Sequence, residues 1–232
     1  MKKFIFILLL VPAMVFSQTN FEKAEKLFNQ EKYASAKLVF ESILIENPNH
    51  LKTLEYLGDI EGIYKSWDKA MSYYGKLKSL NPSNADYYYK YGGCLGMKAK
   101  ESNKFKALGM IGEVRSSFEK AIHLNPNHIE ARWALIELYL QLPGIVGGSE
   151  RKAEKYANEL LKISPVDGYL AKGHIAEYFN RYKDAEKHYS KAIAISGSKT
   201  SYQKLADLYK NKMNQPQKAK ILLENYQERN KS

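Results

Sequence analysis

The most suggestive chemistry in this 232-residue sequence lies in QLPGIVGGSERKA, residues 141–153, where closely spaced glycines lead to Ser149, Arg151 and Lys152. A glycine-rich turn entering a helix start is the arrangement that offers backbone N–H groups to phosphate. A P-loop, however, requires G-x-x-x-x-G-K-[ST] after a buried strand, with Lys and hydroxyl side by side. Here Ser149 precedes the basic residues, Gly148 is followed by Ser, and no strand pattern is nearby. The segment reads as a loop with Ser149 as the N-cap of the next helix. An anion at the N–H groups of that helix start stays open as a second reading.

Other reactive side chains are scattered. The five histidines, His50, His123, His128, His174 and His188, show no H-E-x-x-H spacing and no cysteine cluster accompanies them, so no metal site is expected. His174 and Glu177 lie three apart and share a helical face, but two ligands without a third do not define zinc. The sole cysteine, Cys94, has no partner for an internal disulfide and is expected to pack as a small hydrophobe. Carboxylate pairs such as Glu154 with Glu159, or Glu22 with Glu25, fall on faces that helical spacing leaves in solvent. In the run YYYKY at 87–91, Tyr88 and Tyr91 are expected in the core, leaving Tyr87 and Tyr89 for other contacts. No catalytic set assembles, and the expectation is a non-enzymatic chain without a cofactor.

The first residues, MKKFIFILLLVPAMVFSQ, place Lys2 and Lys3 before an apolar run from Phe4 to Phe16, with Val15 and Ser17 at the small-residue positions ahead of Gln18. This is the pattern of a secretory signal at 1–17, cleaved near Ser17/Gln18. A bilayer span needs about 20 apolar residues, and this run is shorter and contains Pro12; an uncleaved anchor is the alternative. The mature chain is therefore expected to be periplasmic or secreted. The formal net charge of +11 becomes +9 without Lys2 and Lys3. Such an excess often marks nucleic-acid binding, but an exported protein rarely meets nucleic acid, so an anionic envelope surface or acidic polymer is the expected electrostatic neighbour.

The elements that must position any site emerge from self-comparison. ENPNH (46–50), LNPSN (80–84), LNPNH (124–128) and ISPVD (163–167) each close an amphipathic run, and Pro48 and Pro82 are 34 residues apart. Apolar residues three or four apart precede each proline: Ala36, Phe40, Ile43; Ala70, Tyr74, Leu77; Phe118, Ala121; Ala153, Ala157, Leu160. Each proline drives the residue before it, Asn47, Asn81, Asn125 or Ser164, out of helical geometry. Leu57–Gly58, Tyr91–Gly92 and Lys172–Gly173 occupy one equivalent site. Glycine inside a helix costs about 1 kcal/mol against alanine, so these three imply close approach of two helices. Thr19 with Glu22, and more weakly Asn127 with Glu130, read as capping-box starts. Pro82 to Pro126 and Pro126 to Pro165 exceed the period, placing insertions at MKAKESNKFKALGMIGEV and QLPGIVGGS.

These residues resemble the tetratricopeptide repeat, with its Leu-Gly, Tyr, Ala and Pro positions over two antiparallel helices. The resemblance covers nearly the whole of 18–232 as one repeat domain of six units, 18–50, 51–84, 85–128, 129–165, 166–198 and 199–232. It departs at Ala24, at Ile136 and at Gly197 in place of proline. It implies an all-α, right-handed α-solenoid of antiparallel helix pairs, with twelve helices and no strand. The last helix, with Ala219, Leu222, Leu223 and Tyr226 on one side, suits the polar cap of a solenoid end.

In that family the first helices line a concave groove, with positions 2, 5, 9 and 12 of each unit facing inward. Carried onto this sequence, the groove set comprises Glu55 and Asp59, Asp86 and Tyr89, Glu130, Trp133 and Glu137, Asp167, His174 and Glu177, and Asp207. Gly62 and Gly93 occupy the same face. The set is acidic and aromatic, which puts the Lys and Arg excess on the second helices, as in Lys183, Lys187 and Lys191. The resemblance implies a scaffold that binds a protein or peptide segment bearing basic and apolar side chains. The family's carboxylate clamp, Lys and Asn at positions 5 and 9, is absent. The alternative is an envelope-glycan binder with Tyr89, Trp133 and Tyr178 as stacking platforms. The partner, the pathway and the oligomeric state stay open.

Overall fold

A computed structural model describes residues 20–229, so the expected leader at 1–17 and the capping residue Thr19 lie outside the described residues. Among the described residues there are twelve α-helices and no strand: α1 (20–29), α2 (Tyr33–Glu46), α3 (Leu51–Ile63), α4 (Trp67–Leu80), α5 (Ala85–Glu101), α6 (Lys104–Leu124), α7 (Ile129–Gln141), α8 (Glu150–Ile163), α9 (Pro165–Tyr178), α10 (Tyr182–Ser196), α11 (Lys199–Asn211) and α12 (Pro216–Arg229). No helix among them is long and apolar enough to cross a membrane. They pair in the order the period requires and fall into two compact units, Met1–Leu124 and Asn125–Ser232.

The helix ends follow from local chemistry. Asn47, Asn81 and Ser164 leave helical geometry at the C-caps of α2, α4 and α8 (ψ 84°, 81° and 93°), as the proline after each demands. Ser164 also begins α9, where Pro165 at the first helical position costs no hydrogen bond. Four of the six pairs share a turn that the sequence did not announce: Glu31, Lys65, Asn180 and Asn214 take the left-handed conformation at φ of 53–59°. The next N–H then reaches back to close the helix, as in Ser66 N–H to Glu61 O (2.8 Å) and Arg181 N–H to Ala176 O (2.8 Å). Asparagine tolerates this conformation better than glutamate or lysine.

One expected cap is corrected. Asn127 uses its N–H on the Asn125 side chain (3.0 Å), and the N-cap of α7 is His128, whose Nδ1 accepts the Ala131 N–H (3.3 Å). His50 caps α3 in the same way, accepting from Thr53 N–H (3.2 Å). An imidazole nitrogen does here what a Ser or Asp oxygen usually does, satisfying a donor that the first helical turn leaves unpaired.

Within the N-terminal unit, Ala24, Ala36, Phe40, Ile43, Leu57 and Ile60 form one buried cluster shared by the first two pairs. A second, of Leu54, Ala70, Tyr74, Leu77, Tyr87 and Cys94, joins the second pair to the third. In the C-terminal unit Leu170, Ala185, Tyr189, Leu205, Leu208 and Ala219 belong to one cluster spanning its last two pairs. Each large side chain so buried contributes about 1.5–3 kcal/mol. Tyr87 is therefore core, against the expectation that it was available; Tyr88 and Tyr91 are partly covered and lie beneath the Lys78 ammonium, 5.2 and 3.5 Å from it. Cys94 is buried as expected, and burial pushes its thiol up to about 11.

The three glycines of the equivalent site mark close approaches of helices, and Gly168 in α9 marks another, where a Cβ would stand 2.5 Å from Leu161 N. A Cβ on Gly58 would stand 2.8 Å from the ring of Tyr74, one on Gly92 2.8 Å from Ser117 Cβ, and one on Gly173 would collide with the ring of Tyr189. The insertions settle differently. The first lengthens α5 to 17 and α6 to 21 residues, joined through Ser102 and Asn103. The second forms a loop with a short 3-10 turn, Gly144–Val146, between α7 and α8.

Candidate functional site

In the N-terminal unit, Asp59, Gly62, Tyr89 and Gly93, all expected on the groove face, line one depression of ≈ 230 Å³ together with Trp67, Tyr74 and Lys90. Its floor is glycine: a Cβ on Gly62 or Gly93 would meet nothing within 4 Å. Those glycines leave the first-helix face open, whereas Gly58 lets the Tyr74 ring pass beneath it. The Tyr74 hydroxyl then donates to Asp59. Burial, and then Asp59, push the Tyr74 phenol far above its ordinary value, so the hydroxyl stays a donor.

Lys90 is the residue that the repeat positions did not mark. Its ammonium lies 3.1 Å from Glu55 Oε1 and 2.9 Å from Asp59 Oδ1. Burial would lower the Lys90 pKa, but the Asp59 and Glu55 carboxylates raise it above the ordinary lysine value. Glu55 is held below its ordinary value against the cost of burial, chiefly by Lys90. The two acids expected to be open to a partner are already bridged by Lys90, and Glu55 also pairs with the exposed Lys52 (3.2 Å), so two cations stand against the two acids. Asp86 lies in the first turn of α5, where the Asn84 side chain accepts its N–H (2.9 Å).

The groove residues of the C-terminal unit are similarly tied. Trp133 donates its indole N–H to Asp167 (3.1 Å), and its ring lies 6.3 Å from that of His174. His174 Nε2 is 2.6 Å from Glu137 Oε1. That contact holds Glu137 below its ordinary pKa, so its stabilising contribution is present above the usual carboxylate range and fades as pH falls through the lowered value. Glu177 accepts the Tyr189 hydroxyl (2.9 Å), and Glu130 lies 3.1 Å from His128 Nδ1 at the start of α7. Asp207 accepts from Gln203 (3.0 Å) and lines a separate groove of ≈ 490 Å³ between α11 and α12 with Lys210, Lys220 and Leu223. Among the described residues no His, Cys, Asp or Glu group could hold a metal ion.

Charge divides between the helix sets less sharply than expected. The first helices of the pairs carry eleven Lys or Arg and twelve Asp or Glu; the second helices carry eighteen and twelve. The basic excess does sit on the second helices, while the groove helices are close to neutral because Lys90, Lys204 and Lys210 lie among their acids.

The glycine-rich loop turns its donors inward. Gly147 N–H goes to Gly144 O (3.1 Å), Gly148 N–H to Pro143 O (3.1 Å) and Ser149 N–H to Tyr139 O (3.0 Å). These are the groups a phosphate cradle would present, and the loop uses them for its own closure. Ser149 caps α8, accepting from Lys152 N–H (3.3 Å). Ser149→Ala should lower stability by about 1 kcal/mol, a drop of about 2–4 °C in Tm, measured by thermal melting at a helix-sensitive wavelength.

Residues 166–199 match the tetratricopeptide repeat family model. Over 162 residues the chain is 30% identical to a TPR repeat-containing protein of Methanocaldococcus jannaschii, covering 67% of this chain; the chain spans only 29% of that relative's length. The solved structure of a thermophilic TPR protein of Thermus thermophilus superposes with a TM-score of 0.65 at 17% identity, covering 83% of this chain and 98% of that one. YrrB, a TPR protein with an unusual peptide-binding site, gives 0.52 at 17% identity, covering 78% and 87%. The chain thus carries a tetratricopeptide repeat at 166–199 within an all-helical fold of paired helices shared with solved tetratricopeptide-repeat proteins.

Proposed function

We propose that this chain is an exported, non-catalytic scaffold that receives an extended protein segment on its first-helix face, at the depression between α3 and α5. The observation that carries the reading is the glycine floor at Gly62 and Gly93 beside Trp67, Tyr89 and the Glu55–Asp59–Lys90 trio. An aromatic-walled strip of open backbone admits the alternating side chains of a peptide. Lys52, which is exposed, pairs with Glu55 and not with Asp59, so an incoming Lys or Arg would take a share of Asp59 from Lys90. The peptide-binding site attributed to YrrB supports such a use of the fold. The basic second helices would face an anionic envelope surface, each nearby lysine adding about 1 kcal/mol.

Gly62→Arg with Gly93→Arg fills the depression from positions with room to spare, so the fold should persist. On an array of peptides varying in basic and apolar content, the unmodified chain is expected to select Lys- or Arg-bearing apolar sequences. The double variant should bind them at least about tenfold more weakly, a loss of about 1.4 kcal/mol. Equal binding by both would remove the groove from the account; selection of acidic peptides would remove its electrostatics. N-terminal sequencing of the chain recovered from the envelope should begin at Gln18. The glycan reading has less support, because Trp133 is fixed by Asp167 and packed against the core.

A further inference from the structure

The first insertion builds a feature that the groove does not use. α6 is 21 residues long where α4 of the preceding pair is 14, and both end just before the equivalent proline turn. The additional residues, 104–110, extend the second helix by about 10 Å at about 1.5 Å per residue. Leu95, Ala99 and Val114 are buried along the α5–α6 seam, and Asn103 caps α6 by accepting the Lys106 N–H (3.0 Å). The hairpin end is thus an ordered element. Outside its seam it exposes Phe105 at 90%, Leu108 at 47% and Met97 at 40%.

Around these apolar side chains stand four lysines. Lys98 is tied to Asp68, and the nearby Glu101 accepts from Trp67 Nε1 (2.7 Å). Among the described residues no carboxylate forms an ion pair with Lys100, Lys104 or Lys106, all exposed. A protruding phenylalanine in a ring of unpaired ammonium groups presents a convex apolar point with positive charge around it. This is complementary to a soft anionic interface, where the ring enters the headgroup boundary and the lysines meet phosphate.

We propose that the α5–α6 hairpin end, through Phe105, Leu108, Lys100, Lys104 and Lys106, docks on an anionic phospholipid surface. The proposal deepens the envelope-surface association stated above by giving it a site, rests on that association, and is independent of the groove. The test is co-sedimentation of the chain, as purified from its cells, with vesicles of mixed phosphatidylglycerol and phosphatidylcholine, and with phosphatidylcholine alone. Binding is expected only to the anionic vesicles. Each lysine near the surface is worth roughly fivefold, so Lys100→Gln, Lys104→Gln and Lys106→Gln together should weaken it about 100-fold. Phe105→Ser should weaken it about tenfold. All these side chains are exposed, so helicity and melting should match the parent chain.

Lys183→Gln, Lys187→Gln and Lys191→Gln, on α10, separate the two readings. Undiminished vesicle binding by both hairpin variants, with loss in the α10 variant, overturns the hairpin site and keeps the surface association. No binding of the parent chain to anionic vesicles overturns both. Equal displacement of the parent chain and the Phe105→Ser variant by a soluble poly-glutamate peptide that itself binds the hairpin more tightly than the vesicles do would assign the hairpin to an acidic protein segment and overturn the lipid proposal.

Discussion

Replacing Lys37 by Met should destabilise the N-terminal unit by about 3 kcal/mol, the lower end of what removing one partner of a buried pair costs, because Glu61 is buried but the Lys37 side chain is 25% exposed. Glu61 is 2% exposed, and the Lys37 ammonium lies 2.6 Å from its carboxylate across the α2–α3 contact. The substitution keeps most of the aliphatic length of the side chain but removes the cation, so the effect reads electrostatics rather than a cavity. Lys37→Met with Glu61→Leu removes both charges and should return to within about 1 kcal/mol of the parent chain, because replacing a buried pair by apolar groups is often near neutral. The Glu61 hydrogen bond raises the Lys37 pKa above its ordinary value. A raised lysine contributes fully below its unfolded pKa and loses that contribution as pH rises through the folded one. The gap between parent and variant should accordingly hold through neutral pH and close in the alkaline range. Urea titration at several pH values measures it; a single variant as stable as the parent would sink the argument.

Gly173→Val should cost about 3 kcal/mol in the C-terminal unit, the upper end of what overpacking brings. Helix propensity alone predicts the opposite sign, since valine is the better helix former. The reversal comes from Tyr189, which is fully buried and crosses α9 where a Cβ on Gly173 would lie. The ring has no easy retreat, because its hydroxyl donates to Glu177 (2.9 Å). Tyr189→Leu in the same chain vacates that space, so the double variant should lose less than the sum of the two single changes by at least about 1 kcal/mol. Additive losses in a double-mutant cycle of urea midpoints would show that Gly173 and Tyr189 do not share the space.

Gly173 also shows how far the sequence reaches. Glycine recurring at one site of the proline-marked period announces a close contact, and the structure supplies Tyr74, Ser117 with Phe118, and Tyr189 as what lies across it. The prolines announced the helix ends for a related reason, since each acts on its own neighbour. The left-handed turns at Glu31 and Lys65 carried no such signal, because neither residue type prefers that conformation. The tyrosine run failed differently: at about 100° per residue, Tyr87, Tyr88, Tyr89 and Tyr91 point around most of the α5 circumference. Periodicity cannot choose among them; packing beside Leu54 and Leu77 does.

The candidate site divides along the same line. Asp59, Gly62, Tyr89 and Gly93 were placed on one face by their repeat positions, and one depression does contain them. That Lys90 would bridge Glu55 and Asp59, 35 and 31 residues earlier, was not legible.

By itself the sequence determined the helix pairs, their period, the three glycine contacts and the places where extra residues enter. These depend on interactions within a residue's own turn or at a fixed repeat offset. Tertiary structure alone decided which acids are already neutralised, which tyrosine is core, and that one insertion becomes a closed loop while the other becomes a lysine-ringed hairpin. Those outcomes depend on which side chain of one helix arrives opposite which side chain of the next, a distance that no periodicity encodes.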